Sequence, residues 1–228
     1  MATVTVEDRE AAVPAVRERL VAAAIALLED GGADALQARR LAAEIGASTM
    51  AVYTYFGGMR QLVEAVAREG FTRFSRLLSD VRETADPVAD LLELGVAYHD
   101  HAVDNPQLYR VMFGVTAPAG HRLAGVDMNE LMVSGHFPEG AEAFGTLVRA
   151  VERVIAAGDG TAGEDAVGAA SQIWSATHGY VLLEIAGYFG PGATGMTTVM
   201  LPLAVKLICG LGHSPEAVWR SARRVAAY

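Results

Sequence analysis

The sequence predicts an all-α protein in which an N-terminal three-helix unit joins a larger helical part. Three observations predict it. No segment sustains a period-2 alternation of β-branched residues. Turn signals (Gly-Gly, Asp-Pro, Asn-Pro and Ser-Pro) fall at helix-length spacings. The chain has 228 residues, 52% hydrophobic and only 20% charged, which is enough apolar mass for a sizeable core.

Residues 1–12 read as a loose acidic arm. Pro14 suits a first helical turn, and a helix then runs to about Asp30, where Gly31-Gly32 ends it. A short helix from Gln37 to Ile45 stops at Gly46. Ser48 can cap the next, which reaches Phe56 before Gly57-Gly58. A long helix follows from Met59 to about Thr84. Asp86-Pro87 opens a helix to about Asp104, and Asn105-Pro106 opens a short one to Phe113. Residues 115–126 read as a loop, and Asp127–Ser134 as a short helix. Pro138 starts a helix to Ala157, and residues 158–163 are a linker. A long helix spans Glu164–Phe189, and another spans Thr194–Leu211 with a bend at Pro202. Ser214-Pro215 caps a terminal helix. The expected organisation is an arm (1–12), a three-helix domain (13–58) and a second helical domain (59–228).

Composition excludes several classes. The net charge is −9, so a nucleic-acid-coating protein is excluded, while DNA binding through one small face is not. Residues 1–80 hold nine Arg against eleven acidic residues, so non-specific affinity for phosphate should be modest. The single cysteine, Cys209, excludes a disulfide framework and a Cys-based zinc site. His99 and His101 diverge by about 200° on a helix and cannot chelate one metal from one face, so no metal and no cofactor is expected. The apolar run Leu20–Leu28 follows several acidic residues, unlike a signal peptide, and reads as a buried helix. Met196–Leu211 is shorter than the roughly 20 residues a bilayer span needs. A soluble, cytoplasmic protein with no membrane partner is expected. No G-x-S-x-G, P-loop or dinucleotide fingerprint is present, so no enzyme activity and no catalytic residue are assigned.

The most informative stretch is QARRLAAEIGASTMAVYTYF, Gln37–Phe56. It fits two helices joined by a tight turn. Ala42 permits close approach, Gly46 takes the left-handed turn, and Val52 packs the second helix back. Leu41, Ile45 and Phe56 supply a small core. Ser48, Thr49, Met50, Tyr53, Thr54 and Tyr55 face outward, a polar and aromatic surface suited to base edges and phosphates in a major groove. Taken singly, the aromatic residues could equally be core.

Residues 15–62 resemble the DNA-binding domain of the Tet repressor (TetR) family of bacterial transcription regulators. The resemblance lies in RRLAAEIGASTMAVYTYFGGMRQL, above all in Val52-Tyr53-x-Tyr55-Phe56 before a new helix. It implies a hydrogen bond to DNA near a phosphate from Gln37, where the family usually has Ser or Thr, and phosphate or groove contact from Arg39. It implies base contacts from Ser48, Thr49 and Met50, and phosphate contacts from Tyr53 and Tyr55. The family's usual Lys at the start of the fourth helix is Met59 here, with Arg60 beside it as the cation. Arg9, Arg17 and Arg19 could add contacts.

A single helix-turn-helix reads few base pairs. A two-fold dimer doubles the site and makes it palindromic, with half-sites roughly 34–36 Å apart. Ala166, Ala170, Ile173, Thr177 and Val181 are small or branched residues that permit close helix packing. They fit a dimer interface, and they fit an intramolecular core as well. The TetR family uses its last long helices as a four-helix bundle between subunits.

Trp174 and His178 lie on one helical face in W-S-A-T-H-G, which resembles the WHG-type C-terminal domain of one TetR subgroup, as does N-P-Q-L-Y-R-V-M-F-G from Asn105. The resemblance implies a ligand cavity for a small apolar or aromatic molecule. Met112, Phe113, Met128, Phe144 and Trp174 would line it. Tyr98, His101, Tyr109 and His178 would supply polar anchors. Core packing is an equal reading for each. The resulting expectation is a ligand-responsive regulator, with repression the family default, that binds a palindromic operator as a homodimer. The alternative is a helical small-molecule carrier or enzyme with a relict DNA-binding domain.

Overall fold

A computed structural model describes residues 6–120, 138–159, 165–190 and 194–225. The described regular structure is helical, with no strand among those residues. The helices are α1 (Val6–Gly31), α2 (Ala38–Glu44), α3 (Met50–Phe56), α4 (Met59–Ser79), α5 (Pro87–Asp104), α6 (Pro106–Met112), α7 (Pro138–Ala157), α8 (Ala166–Ile185), α9 (Leu201–Gly210) and α10 (Pro215–Val225).

The chain divides into two compact units, each discontinuous in sequence. The first is Met1–Arg73 with Asn105–Pro138, and the second is Phe74–Asp104 with Glu139–Tyr228. These units do not follow the expected division at residue 58, because α6 packs on α1 and joins the N-terminal helices.

In the first unit, Leu20, Ala24 and Leu28 form a fully buried stripe along α1 at four-residue spacing. Leu41 of α2, Val52 of α3, Leu62 and Val66 of α4, and Leu108 and Tyr109 of α6 complete the core. The apolar run Leu20–Leu28 is thus the packed face of a core helix. Helix α1 begins at Val6, so the expected arm is helical from residue 6 and Pro14 is not at a first turn.

The Glu29 carboxylate accepts hydrogen bonds from the backbone N–H groups of Leu108 (2.6 Å) and Gln107 (3.3 Å), satisfying donors that α6 leaves open.

In the second unit, α5 packs against α8 and α10. Asp86 caps α5 through the Ala89 N–H (3.1 Å) and also accepts from Ser221 Oγ (2.9 Å) and Arg224 (2.7 Å) on α10. Helix α4 ends at Ser79, five residues short of the sequence expectation, because Thr84 is engaged elsewhere. Its N–H and hydroxyl bind the buried Asp90 at 2.8 and 2.6 Å, and Arg153 completes that cluster at 2.8 Å. The helices that start at Pro106, Pro138 and Pro215 begin where the sequence placed them. The irregularity expected at Pro202 lies just before it, as a π-helical turn over Met196–Met200. A proline ring crowds the carbonyl four residues earlier, and a wider turn relieves that contact. The expected helix at Asp127–Ser134 lies outside the described residues.

Candidate functional site

The first candidate surface is built by the turn between α2 and α3. Ile45 caps α2, and Gly46 follows at φ +66°. The Gly46 N–H bonds to Ala43 O (3.2 Å) and the Ala47 N–H to Ala42 O (2.9 Å). This reciprocal pair closes the helix and turns the chain sharply. Ala42, Val52 and Phe56 are buried beneath, with Ile45 half-buried. Their burial fixes the orientation of α3, so its outer face is what remains. Met50 is 63% exposed and Tyr53 54%, with Ser48, Thr49 and Thr54 also exposed and Tyr55 half-buried.

Gln37 sits at the N-cap of α2 without capping it, and its Nε2 donates to Asp34 O at 3.0 Å. Arg39 is exposed on α2. Arg60 is exposed at the start of α4, with Nε 3.1 Å from Glu64, a solvent pair of little energetic weight.

Two α1 arginines that could add DNA contacts bind within the chain. Arg17 lies 4.5 Å over the Phe56 ring and donates to Tyr55 O at 2.5 Å. Arg19 donates to Ile45 O at 3.2 Å. Each guanidinium satisfies a carbonyl at a helix C-terminus, where cations are favoured. They position the helix-turn-helix.

The second candidate surface is an aromatic cluster in the second unit. Tyr98 Oη lies 3.1 Å from His178 Nδ1. The Trp174 ring is 5.5 Å from His178, and Phe144 packs edge-on to Trp174 at 6.4 Å. Phe74 joins Tyr98 at 5.0 Å and His101 at 5.2 Å, and is a member the sequence reading missed. Burial pushes the His178 imidazole below its ordinary pKa, favouring the neutral ring. A neutral imidazole and a phenol in an aromatic wall can orient a small molecule carrying one or two polar groups.

Tyr109, Met112 and Phe113 belong to the first unit, where Phe113 packs on Phe71 at 5.3 Å and on Tyr109 at 4.8 Å. Tyr109 is fully buried. Met128 lies outside the described residues.

Of the expected interface residues, Ala170 and Val181 are fully buried inside their own chain, while Thr177, nearly buried, lines the same apolar cleft as Ile173. A stripe of small residues permits close packing without saying against what. Ala166 and Ile173 are half-buried. Val167 and Leu183 are the exposed large apolar residues on α8. Beside Ile173, an apolar cleft of about 320 Å³ is lined by Leu92 and Val96 of α5, Met196 and Met200 of the π turn, and Leu207 of α9.

Residues 20–66 match the family "Bacterial regulatory proteins, tetR family", and residues 91–199 match "Tetracyclin repressor-like, C-terminal domain". The chain belongs to the TetR family. The WHG-type reading is consistent with that C-terminal match. Nucleoid occlusion factor SlmA of Aliivibrio fischeri is 30% identical over 106 residues, covering 44% of this chain and 53% of SlmA. The chain therefore spans about half the length of that curated relative. The uncharacterized HTH-type transcriptional regulator Rv0681 of Mycobacterium tuberculosis is 26% identical over 171 residues, covering 75% of this chain and 71% of that protein. Among solved structures, a protein of unknown function from Rhodococcus sp. RHA1 superposes with a TM-score of 0.68 at 26% identity, over 87% of this chain and 95% of that one. The TetR fold and the regulator family are thereby fixed. No described helix is long and apolar enough to cross a membrane.

Proposed function

We propose that this TetR-family regulator is a repressor that binds a palindromic operator as a homodimer in the cytoplasm and is released by a small apolar or aromatic molecule. The observation that carries this reading is the exposure of Met50, Tyr53 and Thr54 on a helix whose opposite face, Val52 and Phe56, is locked into the core. Such a helix is rigidly held and has no partner for its outer face within its own unit. A major groove accepts a helix of that size.

In this reading residues 13–58 carry DNA binding, on a unit that also takes in the start of α4 and residues 105–120, and the rest of 59–228 carries ligand binding and dimerisation. Gln37, Arg39, Tyr53, Tyr55 and Arg60 contact the backbone, and Ser48, Thr49 and Met50 face bases. The inducer sits against Tyr98, His101, Phe144, Trp174 and His178. Its binding favours a conformer whose two reading helices no longer match the half-site spacing. Operator DNA then weakens inducer binding by the same factor that inducer weakens operator binding.

The test is selection from random duplex DNA with the purified protein at physiological salt, followed by a displacement screen with small aromatic compounds. An enriched palindrome is expected, together with at least one compound that releases it. A folded dimer that enriches no sequence refutes the reading. One observation favours a second reading, a carrier with a relict DNA-binding domain: residues 1–80 carry a net charge of −2. That carrier binds aromatic compounds yet shows no selective, salt-dependent DNA binding.

A further inference from the structure

The outer face of α3 contains no charged side chain. From Ser48 to Phe56 the sequence is STMAVYTYF. The pairings that discriminate bases most strongly use Arg or Lys on guanine, Asn or Gln on adenine, and Asp or Glu on cytosine. None of those residue types is on this helix. Ser48, Thr49 and Thr54 offer hydroxyls, each of which donates or accepts and therefore suits several bases. The remaining group at the N-terminal end of α3, the end that enters a groove, is Met50.

Met50 is 63% exposed, the highest exposure of any described large apolar residue of the first unit. An unbranched thioether adapts its shape and has almost no hydrogen-bonding capacity. Its natural complement on a base edge is apolar, and the major groove presents one apolar group, the C5-methyl of thymine.

We infer that the operator is read through thymine methyl groups, with Met50 the specificity-determining residue, and not through guanine. This rests on the proposed operator-binding function. The four bases differ little in phosphate geometry, so Arg39, Tyr53, Tyr55 and Arg60 set affinity and register while Met50 sets the base preference.

The experiment uses the full-length protein and the palindromic duplex enriched from a random pool. The same duplex is remade with deoxyuridine in place of thymidine, which removes the C5-methyl groups and leaves base pairing intact. A third version carries 7-deazaguanine, which removes the guanine N7 acceptor. One methyl contact per half-site predicts about fourfold weaker binding per half-site, or about fifteenfold for the palindrome, with deoxyuridine. The 7-deazaguanine duplex should bind within about twofold of the parent. The slope of affinity against salt should be the same for all three, since the phosphate contacts are unchanged.

Met50→Ala should bind the thymidine duplex more weakly and lose the discrimination against deoxyuridine. Its exposure predicts an unchanged melting temperature. Equal binding of thymidine and deoxyuridine duplexes by the wild type overturns the inference and leaves operator binding standing. So does a deoxyuridine penalty that persists unchanged in Met50→Ala. A folded protein that enriches no duplex at all overturns the inference together with the operator reading.

Discussion

Gly70→Ala is a test of how closely α6 packs on α4. A Cβ at residue 70 would fall 2.7 Å from both Cγ and Sδ of Met112 and 3.1 Å from Cδ1 of Leu108. Real carbon contacts are not that short, so a neighbour must move. Met112 is 4% exposed and Leu108 fully buried, so neither can swing into solvent without vacating core space. Overpacking of this kind costs about 1–3 kcal/mol, and replacing a mid-helix glycine by alanine returns about 1 kcal/mol of helix propensity. Taking a net loss of about 1 kcal/mol, and about 2–4 °C per kcal/mol for a chain of this size, the melting temperature should fall by about 2–4 °C. Met112→Ala alone should cost about 2–5 kcal/mol by opening a cavity. In the double variant the new methyl group occupies part of that cavity, so the combined loss should be smaller than the sum by about 1 kcal/mol or more. Urea unfolding followed by circular dichroism, with a check that the slope m is constant, measures all three. A Gly70→Ala protein about 1 kcal/mol more stable than the wild type, the gain of an unhindered alanine, or two strictly additive losses, would refute the close α4–α6 packing.

Further predictions concern the two sites and their supports. Arg17→Ala should weaken operator binding and leave the salt slope unchanged, because Arg17 positions α3; a slope reduced by about 1 would mean direct phosphate contact. Asp90→Asn should lower thermal stability at neutral pH and flatten its loss in acid. Burial raises the Asp90 pKa, but the hydrogen bonds from Thr84 and the Arg153 guanidinium outweigh that and hold it below the ordinary carboxylate value. A depressed carboxylate stabilises the fold above about pH 3.9 and loses that contribution as pH falls, which an acid melting series detects. His178→Gln should remove a pH dependence of another origin: burial lowers the His178 pKa, so wild-type stability should fall as pH drops below about 6.5 and the variant's should fall less.

Local chemistry made much of this molecule legible. Gly46 and Ala42 announced the tight turn, and Asp86-Pro87 and Asn105-Pro106 announced two helix starts, because caps and turns depend on a few adjacent residues. The face of α3 was legible too, since burying Val52 and Phe56 forces Met50 and Tyr53 outward. Long-range pairing was not. Trp174 and His178 were recognised as neighbours because they are four residues apart, but nothing local set Tyr98 against His178 or added Phe74. Tyr109 and Phe113 look the same in sequence as Tyr98 and Phe144, and nothing local set them against each other and against Phe71. Ala170 and Val181 show the same limit, for small residues favour any close helix contact, within a chain or between chains.

The interleaved composition of the first unit affects how it is made on the ribosome. Its three N-terminal helices and the start of α4 are synthesised as one stretch, but α6 emerges only after α5, which belongs to the other unit. Until then Gly70 has not met Met112 and Leu108, Phe71 has not met Phe113, and the Glu29 carboxylate has not met the Gln107 and Leu108 N–H groups. A nascent chain halted at residue 73 therefore holds a formed reading helix on an incomplete scaffold. A minimal DNA-binding fragment has to bring residues 105–120 with it, joined across the gap by a linker in place of α5.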